Sequence, residues 1–354
     1  MAAKQHVIVA GAGIIGASIA WHLARDGAEV TVIAEDTGGV ATPNSFGWIN
    51  ASWGNPEFYF RFRRRSMTEW KRLATELPGL PLAWCGGICW DLPEDELRAY
   101  ETQHTQWGYG IERIGKAGIA AREPFLTQLP ETALHIAEEG AVEPVAAARL
   151  MLADAGARGA KFVTAAVRGL LRRGEGIAGV VTSTGIVEAN HVVLAAGAGA
   201  VPIAASAGIT LPIDAPAGLI VHSRPFEKRL NGLVIAPELH MRQTAEGRII
   251  AGSDFGGSEP GADHKSTAAT LFAKVKANLA SSENLTMELF TVGYRPTPKD
   301  GFPIIGNGGC PGLYVAVMHS GVTLAPLAGL LAAEEILSGE TESDLEPFRL
   351  ARFA

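Results

Sequence analysis

Cysteine is scarce in this sequence, with only Cys85, Cys89 and Cys310 among 354 residues. Three cysteines at irregular positions cannot form a disulfide framework, and the spacing of Cys85 and Cys89 differs from the CxxC pattern of metal and redox pairs. We therefore predict a reducing, cytoplasmic compartment and no metal site.

Positive charge is also in deficit, because 30 Lys and Arg stand against 37 Asp and Glu and give a net charge of −7. Nucleic acids and anionic membranes attract positive potential, so we predict no nucleic-acid partner. The one dense basic cluster is "RFRRRS" at residues 61–66. We interpret it as the solvated face of an amphipathic helix and assign it no function.

Long apolar runs are missing as well. No stretch of 18 or more apolar residues predicts a membrane span. The N-terminal segment "VIVAGAGIIGASIAWHLA" is broken by three glycines and lacks the basic leader and cleavage site of a signal peptide. With 47% apolar residues and no internal repeat, the sequence predicts a soluble globular protein with an ordinary buried core.

The first motif is a glycine-rich turn between a strand and a helix. "HVIVA" predicts a buried strand, "GAGIIG" a tight turn, "ASIAWHLARDG" a helix and "AEVTVIAED" a second strand. Gly11 permits the turn, Gly13 lets the backbone approach a pyrophosphate, and Gly16 allows the helix to pack closely on the strand. Glu35 ends the second strand, where a carboxylate accepts hydrogen bonds from ribose hydroxyls. The pattern predicts a dinucleotide-binding βαβ unit, for either NAD or FAD.

The polar loop after the second strand favours FAD. "TGGVATPNSFGWINASWGNP" is rich in Gly, Ser, Asn and Thr, and includes Trp48 and Trp53. An NAD enzyme usually continues with another helix and strand. A polar loop at this place can run along a pyrophosphate and reach an isoalloxazine ring, although a plain connector is the alternative.

The rest of the chain alternates between helical and strand patterns. Helices are predicted in segments 56–77 and 93–108, in the first part of segment 143–162, and from Ser266 to Leu279. Residues 82–92 predict a pair of strands, and Phe162 lies in a strand. Short strands then form a meander that returns to a buried strand, "HVVLAAGAG", while the pattern from Leu211 to Phe255 is antiparallel. A last helix begins after "HSG", with Ser338 and Gly339 as its stop, and we expect Pro326 in its first turn.

Four segments together resemble one family of flavoenzymes. "VIVAGAGIIGASIAWHLARDGAEVTVIAE", "VVLAAGAGA", "GYRPTPKDGFPIIG" and "HSGVTLAPLAGLLAAEEILSG" look, in this order, like the D-amino-acid oxidase, glycine oxidase and sarcosine oxidase superfamily. The resemblance implies an α/β fold with a Rossmann-type FAD-binding domain and an α+β substrate domain built on an antiparallel sheet. We assign residues 1–80, 140–205 and 285–354 to the FAD-binding domain. Residues 81–139 and 206–284 then form the substrate-binding domain.

The resemblance also implies site residues. The arginine of the family's G-x-R-P motif binds the substrate carboxylate, and Arg295 occupies that position; a structural pairing with Asp300 or another acid is the alternative. His240, His319 and Arg242 are further candidates for substrate contact, and Phe255 is a candidate lining residue. The implied cofactor-binding residues are Gly11, Gly13, Ile14, Ile15, Gly16, Glu35, Thr42, Ser45, Phe46, Gly47, Trp48, Val167, Ala196, Gly197, Arg295, His319, Ser320, Gly321, Val322 and Thr323.

Two departures from the family limit what the resemblance implies. Sarcosine oxidases attach FAD through a cysteine close to the place of Tyr294 and Arg295, whereas Cys310 lies well beyond it, so we expect non-covalent FAD. Those enzymes also carry an oxygen-activating lysine in the strand where this sequence has Ile250. The electron acceptor is therefore O2 or another acceptor, such as a quinone or a partner protein.

The expected reaction is oxidation of the C–N bond of a small amino acid or a secondary amino acid. A hydride passes to FAD, and the imine hydrolyses to a 2-oxo acid and an amine. The basic candidates tilt the expectation slightly toward iminodicarboxylates. A subunit that feeds electrons to another chain, a tRNA-modifying amine oxidase and an NAD dehydrogenase are the alternatives, and assembly into a homo-oligomer is left open.

Overall fold

The computed structural model describes residues 5–52, 54–253 and 260–354. The helices of the described residues are α1 (Ile14–Arg25), α2 (Glu57–Glu76), α3 (Glu94–Gln106), α4 (Lys116–Arg122), α5 (Pro144–Ala157), α6 (Ala200–Ala205), α7 (His264–Asn278) and α8 (Gly321–Ser338). The strands are β1 (His6–Ala10), β2 (Glu29–Ala34), β3 (Trp48–Ile49), β4 (Leu82–Ala83), β5 (Gly87–Cys89), β6 (Ile111–Gly115), β7 (Thr132–Ile136), β8 (Gly140–Val142), β9 (Lys161–Thr164), β10 (Val167–Arg173), β11 (Gly176–Thr182), β12 (Gly185–Glu188), β13 (His191–Leu194), β14 (Ile213–Asp214), β15 (Ala217–Ser223), β16 (Leu233–Ala236), β17 (Leu239–Gln243), β18 (Ile249–Gly252), β19 (Met287–Tyr294), β20 (Thr297–Pro298), β21 (Ile304–Asn307) and β22 (Leu313–Val317).

A six-stranded sheet carries the predicted nucleotide-binding unit. Its order is β21-β22-β13-β1-β2-β9, with every pair parallel except the edge pair β21 and β22. Apolar residues of β1, α1, α5 and α8 form one continuous core on a face of this sheet. The three-stranded meander β10-β11-β12 packs on the other face through a second core that includes Ile8 and Val192. The predicted βαβ unit and the meander are confirmed.

Close packing at the start of α1 depends on glycine. A Cβ atom placed on Gly16 would lie 2.0 Å from the carbonyl oxygen of Gly11, so only glycine lets the helix approach the turn. Gly11 itself has φ +114°, a conformation that L side chains rarely adopt. The backbone of the turn is therefore free to face whatever lies at the carboxyl end of β1.

An eight-stranded sheet forms the second layer. Its order is β19-β15-β18-β17-β16-β5-β7-β6, and all pairs are antiparallel except β16 with β5. The expectation of a strand pair in residues 82–92 is wrong in its pairing. β4 joins β8 in a small separate sheet, whereas β5 joins β7 and β16, because these strands find partners far along the chain.

The domain division remains a prediction, and one strand bears on its boundaries. β19 begins at Met287, inside the segment 285–354 that we assigned to the FAD-binding domain. It is nevertheless hydrogen-bonded along its length to β15, at the edge of the eight-stranded sheet. Arg295 follows directly on β19, so its position is set by the second layer.

The placement of Pro326 in the first turn of the last helix is wrong. Pro326 is the sixth residue of α8 and cannot donate to the Val322 carbonyl oxygen. That oxygen instead accepts a hydrogen bond from Trp70 Nε1 at 3.0 Å, and Ser66 Oγ donates to the Thr323 carbonyl oxygen at 2.8 Å. α2 therefore satisfies the carbonyl groups that the proline leaves open at the start of α8. Helix α8 ends as expected at Gly339, which has φ +75°.

Helix α8 is the one helix of the described residues with the length and apolar composition of a membrane span. However, 72% of it is buried inside the protein. It packs on α1 and α2, as a core helix does.

Candidate active site

A cavity of about 1070 Å³ lies at the carboxyl ends of the parallel strands. The segments that directly follow β1, β2, β9, β13 and β22 all contribute to its wall. In doubly wound sheets this edge is where ligands bind, because the strand ends leave a crevice between their connections. Residues of β15, β17 and β18 close the cavity from the second layer.

One end of the cavity is a cradle of backbone. Gly11, Gly13 and Glu35 line it, and α1 begins there. A Cβ atom on Gly11 would lie 2.4 Å from the Ala195 carbonyl oxygen, so the space between β1 and β13 admits no side chain. The first turn of α1 carries no acidic residue, and the N–H of Ile14 donates to Thr42 Oγ1 at 3.0 Å. This end suits a pyrophosphate, because its partial positive charge is not neutralised by the protein.

The remaining predicted cofactor residues lie on the same cavity wall, with one exception. The lining includes Ile14, Ile15, Thr42, Ser45, Phe46, Gly47, Trp48, Val167, Ala196, Gly197, His319, Ser320, Gly321, Val322 and Thr323. Gly16 does not line it, because this residue faces the turn and serves the packing of α1. The predicted loop, the first residue of the meander and the start of α8 therefore enclose one continuous space. An elongated dinucleotide such as FAD fits this arrangement.

Arg295 also lines the cavity, and it lies between β19 and Pro296 in the chain. Its backbone N–H donates to the Pro216 carbonyl oxygen at 3.0 Å, which anchors the residue to the segment before β15. The alternative pairing with Asp300 does not occur. Both Asp300 carboxylate oxygens accept hydrogen bonds from Arg352, at 2.7 and 3.0 Å.

His319 lines the cavity immediately before α8. Burial, followed by the charges of Arg295 and Arg63, lowers the pKa of His319 to about 4. Its Nδ1 lies 2.9 Å from Ser320 Oγ. The imidazole is therefore neutral at pH 7 and acts as a hydrogen-bonding group, whereas the guanidinium groups carry the positive charge here.

His240 lines the cavity from β17 and is 4% exposed. Its Nε2 lies 3.2 Å from Asp91 Oδ2, and Cys89 Sγ donates to Asp91 Oδ1 at 3.3 Å. Asp91 follows β5, a neighbour of β16 and hence close to β17. Sequence patterns gave no sign of this pair, because the two residues are far apart in the chain. Two further candidates, Phe255 and Trp53, lie outside the described residues.

The prediction that Arg242 contacts substrate finds no support in its position. Arg242 is not among the residues that line the cavity and is 3% exposed. Its Nη1 and Nη2 donate to the two Glu143 carboxylate oxygens, at 2.7 and 3.3 Å, and its Nε donates to the Phe46 carbonyl oxygen. Arg242 therefore fixes the Phe46 segment from behind, although it shares a strand face with His240.

Arg63 is a site residue that the sequence analysis missed. We placed the basic cluster 61–66 on a solvated face, but Arg63 is 5% exposed and lines the cavity. Its neighbours Arg61, Arg64 and Arg65 do form ion pairs at partly exposed positions. Helical periodicity contained the signal: Tyr59, Arg63, Ser66, Trp70 and Leu73 all fall on the buried face of α2.

Glu139 is a second missed residue, and it holds the cavity wall from behind. Its fully buried carboxylate accepts hydrogen bonds from Trp48 Nε1 at 2.8 Å, Ser52 Oγ at 2.5 Å and Tyr109 Oη at 3.0 Å. Burial raises the pKa of Glu139 to about 7, against the opposing effect of these three donors. The carboxylate thus fixes both ends of the segment from Trp48 to Ser52.

Neither cysteine nor lysine lines the cavity within the described part of the chain. Cys310 is buried in the core on the meander side of the parallel sheet. Ile250, at the position of the family's oxygen-activating lysine, is 6% exposed. The described residues also contain no cluster of three or more His, Cys, Asp or Glu side chains that could hold a metal ion.

Comparisons with known proteins agree with this geometry. The bifunctional protein ThiO/ThiG of Nostoc sp. is 29% identical over 98% of this chain, and the chain spans about half (55%) of that relative's length. L-proline dehydrogenase from P. horikoshii superposes with a TM-score of 0.87, at 27% identity and over 100% of this chain and 98% of that one. Glycine oxidase from Geobacillus kaustophilus superposes with a TM-score of 0.86, at 25% identity and over 99% of both chains.

One family model covers nearly the whole chain. It is described as FAD dependent oxidoreductase (DAO) and matches residues 6–335, a range that contains both sheets and every part of the cavity wall described above. The sequence resemblance, the strand order and the glycine cradle lead to the same assignment. The chain belongs to the DAO family of FAD-dependent oxidoreductases.

Proposed function

We propose that this enzyme oxidises the C–N bond of a small amino acid or N-substituted amino acid. The α-hydrogen leaves as hydride, and the imine that forms is hydrolysed to a 2-oxo acid and an amine. The observation that carries the proposal is the position of Arg295 among the residues that line the same cavity as the glycine cradle. A permanent cation in the cavity wall selects for a carboxylate.

Arg295 serves orientation as well as affinity. A guanidinium group presents a planar pair of donors, so it binds a carboxylate through two parallel hydrogen bonds and fixes the rotation of the substrate. Fixing the α-carbon in this way converts binding energy into correct alignment for hydride transfer. A lysine would attract the carboxylate without fixing its plane.

Different residues of the chain would bind different parts of FAD. Gly11, Gly13 and the N-terminus of α1 would hold the pyrophosphate, and Glu35 would accept from the ribose. The start of α8 supplies a positive helix end in the cavity wall. When bound, FAD supplies the hydride acceptor, which no protein side chain can replace.

Two of the three groups behind the expected tilt toward iminodicarboxylates give it no support. The expected tilt toward iminodicarboxylates depended on His240, His319 and Arg242. Arg242 is engaged with Glu143, and His319 is neutral at pH 7, so neither offers a free positive charge to a second carboxylate. Glycine oxidase and L-proline dehydrogenase among the similar structures also favour small or cyclic amino acids.

Two kinds of electron acceptor are compatible with the proposed reaction. In the first case O2 reoxidises the cofactor and forms H2O2. In the second, a quinone or a partner protein accepts the electrons. The second candidate is favoured by the absence of lysine from the described cavity lining and by the similarity to L-proline dehydrogenase.

The test is a panel of glycine, N-alkyl glycines, proline, D-amino acids and iminodiacetate, mixed anaerobically with the holoenzyme. We expect bleaching of the flavin absorbance by at least one amino acid with a single carboxylate, and no bleaching by the corresponding carboxylate-free amine. Bleaching by the amine alone would contradict the proposal. Reoxidation by air, compared with reoxidation by a soluble quinone, then separates an oxidase from a dehydrogenase.

The cofactor's attachment is tested separately. Because the described cavity lining contains no cysteine, we expect FAD without a covalent link to cysteine. Acid precipitation should leave the yellow colour in the supernatant. Colour that stays with the protein pellet would contradict this expectation.

A further inference from the structure

Arg63 combines burial with a positive charge that forms no direct ion pair among the described residues, although the buried Glu139 is near enough to interact with this charge. Within the part of the chain that the structure describes, no acidic oxygen lies within 4 Å of its guanidinium group. The side chain is 5% exposed, so water does not compensate either. Burying an unpaired charge is costly, and an ordinary core does not retain one. The position therefore calls for a ligand that carries negative charge.

The guanidinium group is held in a defined orientation. Nε donates to the Asn50 carbonyl oxygen at 3.1 Å, Nη2 donates to Asn50 Oδ1 at 2.6 Å, and the group lies 5.4 Å from the centre of the Tyr59 ring. The third nitrogen, Nη1, has no hydrogen-bond partner among the described residues. Since Arg63 lines the cavity, its remaining hydrogen-bonding capacity is available to a bound molecule.

The surroundings of Arg63 connect it to the start of α8. The Asn50 backbone N–H donates to Thr323 Oγ1 at 3.3 Å, and Thr323 lies in the first turn of that helix. Ser66 and Trp70, one and two turns further along α2, donate to carbonyl oxygens of the same turn. The positive end of α8 and the charge of Arg63 therefore face the same part of the cavity. The charge of Arg295 reaches this region as well, because the charges of Arg295 and Arg63 both lower the pKa of His319.

We propose that Arg63 is a cofactor-facing cation, which stabilises the negative charge that the bound flavin ring acquires on two-electron reduction. The helix end alone supplies about half a unit charge, which is screened by any water in the cavity. A fixed guanidinium adds a full charge, and its burial strengthens the electrostatic interaction with a bound group. This inference rests on flavin binding by the family and not on the substrate proposed above.

The test replaces Arg63 in the holoenzyme and measures the flavin without any amino acid present. Arg63→Met keeps much of the side-chain volume and removes the charge. Removing one charge-assisted contact should weaken the binding of sulfite, an anion that adds to oxidised flavin, by roughly ten- to a hundredfold. If the equilibrium between oxidised and reduced flavin shifts toward the oxidised form by the same ten- to hundredfold factor, the two-electron midpoint potential falls by roughly 30 to 60 mV, at about 30 mV for each factor of ten.

The basic cluster itself provides the matched control. Arg64→Met removes the neighbouring arginine, whose guanidinium group is paired with Glu138 at the surface. We expect its sulfite affinity and midpoint potential to equal those of the wild type. Arg63→Lys keeps the charge but loses the planar pair of donors, so its sulfite affinity and midpoint potential should lie between those of the wild type and Arg63→Met. If Arg63→Met retains no flavin, Arg63→Gln takes its place, since its amide can still donate to the Asn50 carbonyl oxygen.

Three results would overturn the proposal. The first is a neutral variant of Arg63 with wild-type potential and sulfite affinity. The second is an equal shift in Arg64→Met, which would show a general effect of net charge. The third is an unchanged potential together with weaker binding of a dicarboxylate inhibitor, which would assign Arg63 to the substrate. None of these measurements depends on which amino acid the enzyme oxidises.

Discussion

Two parts of the cavity wall are built in different ways. The glycine cradle consists of backbone from one short, continuous segment, Gly11 to Gly16, packed against the end of β13. The charged part consists of residues that come from α2, β17, the position after β19 and the loop before α8. A continuous segment leaves a motif in the sequence. A set of side chains gathered from four places does not.

This difference also separates the physical roles of the two parts. The cradle binds by shape and by backbone dipoles, which do not titrate. The charged part depends on two guanidinium groups, on a neutral histidine whose pKa both of them lower, and on a buried carboxylic acid behind the wall. Substitutions at the cradle should therefore act through sterics, and substitutions in the charged part through electrostatics and pH.

The largest effect is expected at the cradle. Gly11→Ala places a Cβ atom 2.4 Å from the Ala195 carbonyl oxygen, on a residue with φ +114°. Strain and overlap together should cost more than about 3 kcal/mol, so the purified protein should retain little flavin. Gly156→Ala is the control, because nothing lies within 4 Å of the added methyl group in α5. Flavin retention of Gly11→Ala is measured as the ratio of visible to protein absorbance, and a wild-type ratio would contradict the steric account.

A pH-dependent effect is expected in the charged part. The pKa of Glu139 is raised from 4.5 in the unfolded chain to about 7 in the folded protein. The folded protein therefore binds this proton more tightly, and the resulting stabilisation is present below pH 4.5 and lost as the pH rises through 7. The loss amounts to about 3 kcal/mol at about 1.4 kcal/mol for each pKa unit.

Glu139→Gln isolates that contribution. The wild type also carries Glu123, whose pKa burial raises to about 7, so only a difference between proteins is informative. Chemical unfolding at pH 5 and pH 7.5 should give a free energy of unfolding that depends less on pH in Glu139→Gln than in the wild type. In the control variant Gly156→Ala, the free energy of unfolding should keep the wild-type pH dependence. An identical pH dependence in Glu139→Gln and the wild type would show that Glu139 keeps its ordinary acidity.

The kcat/KM for an amino-acid substrate should depend both on the charge at position 295 and on its planar pair of donors. Arg295→Ala removes both the charge and the planar donors, and the lost contacts of roughly 1.5 to 3 kcal/mol lower kcat/KM about ten- to a hundredfold. The kcat/KM of Arg295→Lys should lie between those of Arg295→Ala and the wild type. The flavin reduction rate should fall along with the affinity, because orientation is lost. Equal losses with a carboxylate-free amine would mean that Arg295 is structural, with His240 the next candidate for the carboxylate.

The smallest effect concerns the ribose. Glu35 is exposed directly after β2 and lines the cavity, so Glu35→Ala should weaken FAD binding by roughly 1.5 kcal/mol. The spectrum and midpoint potential of any bound flavin should not change. Titration of the apoprotein with FAD gives the affinity, and a shifted potential at wild-type affinity would show that Glu35 lies near the flavin ring.

Features encoded by one continuous segment could be predicted from the sequence, whereas features assembled from distant parts of the chain could not. The βαβ unit, the meander and the last helix were predictable because local periodicity and glycine spacing encode them. The pairing of β4 and β5 was not, because their partners β8 and β16 come from elsewhere in the chain. Pro326 was misplaced because the compensating donors, Ser66 and Trp70, lie on another helix.

At the site, the missed residues share one property. Arg63, Asp91 and Glu139 are polar residues whose environments are created by tertiary contacts, so their types alone suggested solvated surface. For Arg63 a periodicity argument was available, since it falls on the apolar stripe of α2. For Asp91 and Glu139 the sequence held no comparable sign, because their partners are 149 and up to 91 positions away.

The strand order of the parallel sheet has a consequence for how the protein folds. β1 pairs with β13, and β13 pairs with β22, so the start, the middle and nearly the end of the chain are neighbours. Closing such long loops carries an entropic cost before any contact compensates it, which slows folding. During synthesis β1 must remain without its inner neighbour until His191 emerges, and the wall from Met318 to Thr323 forms later still. The nucleotide cradle is encoded by the first segment of this sequence, yet it becomes competent to bind only after β13, β22 and the residues up to Thr323 have been made.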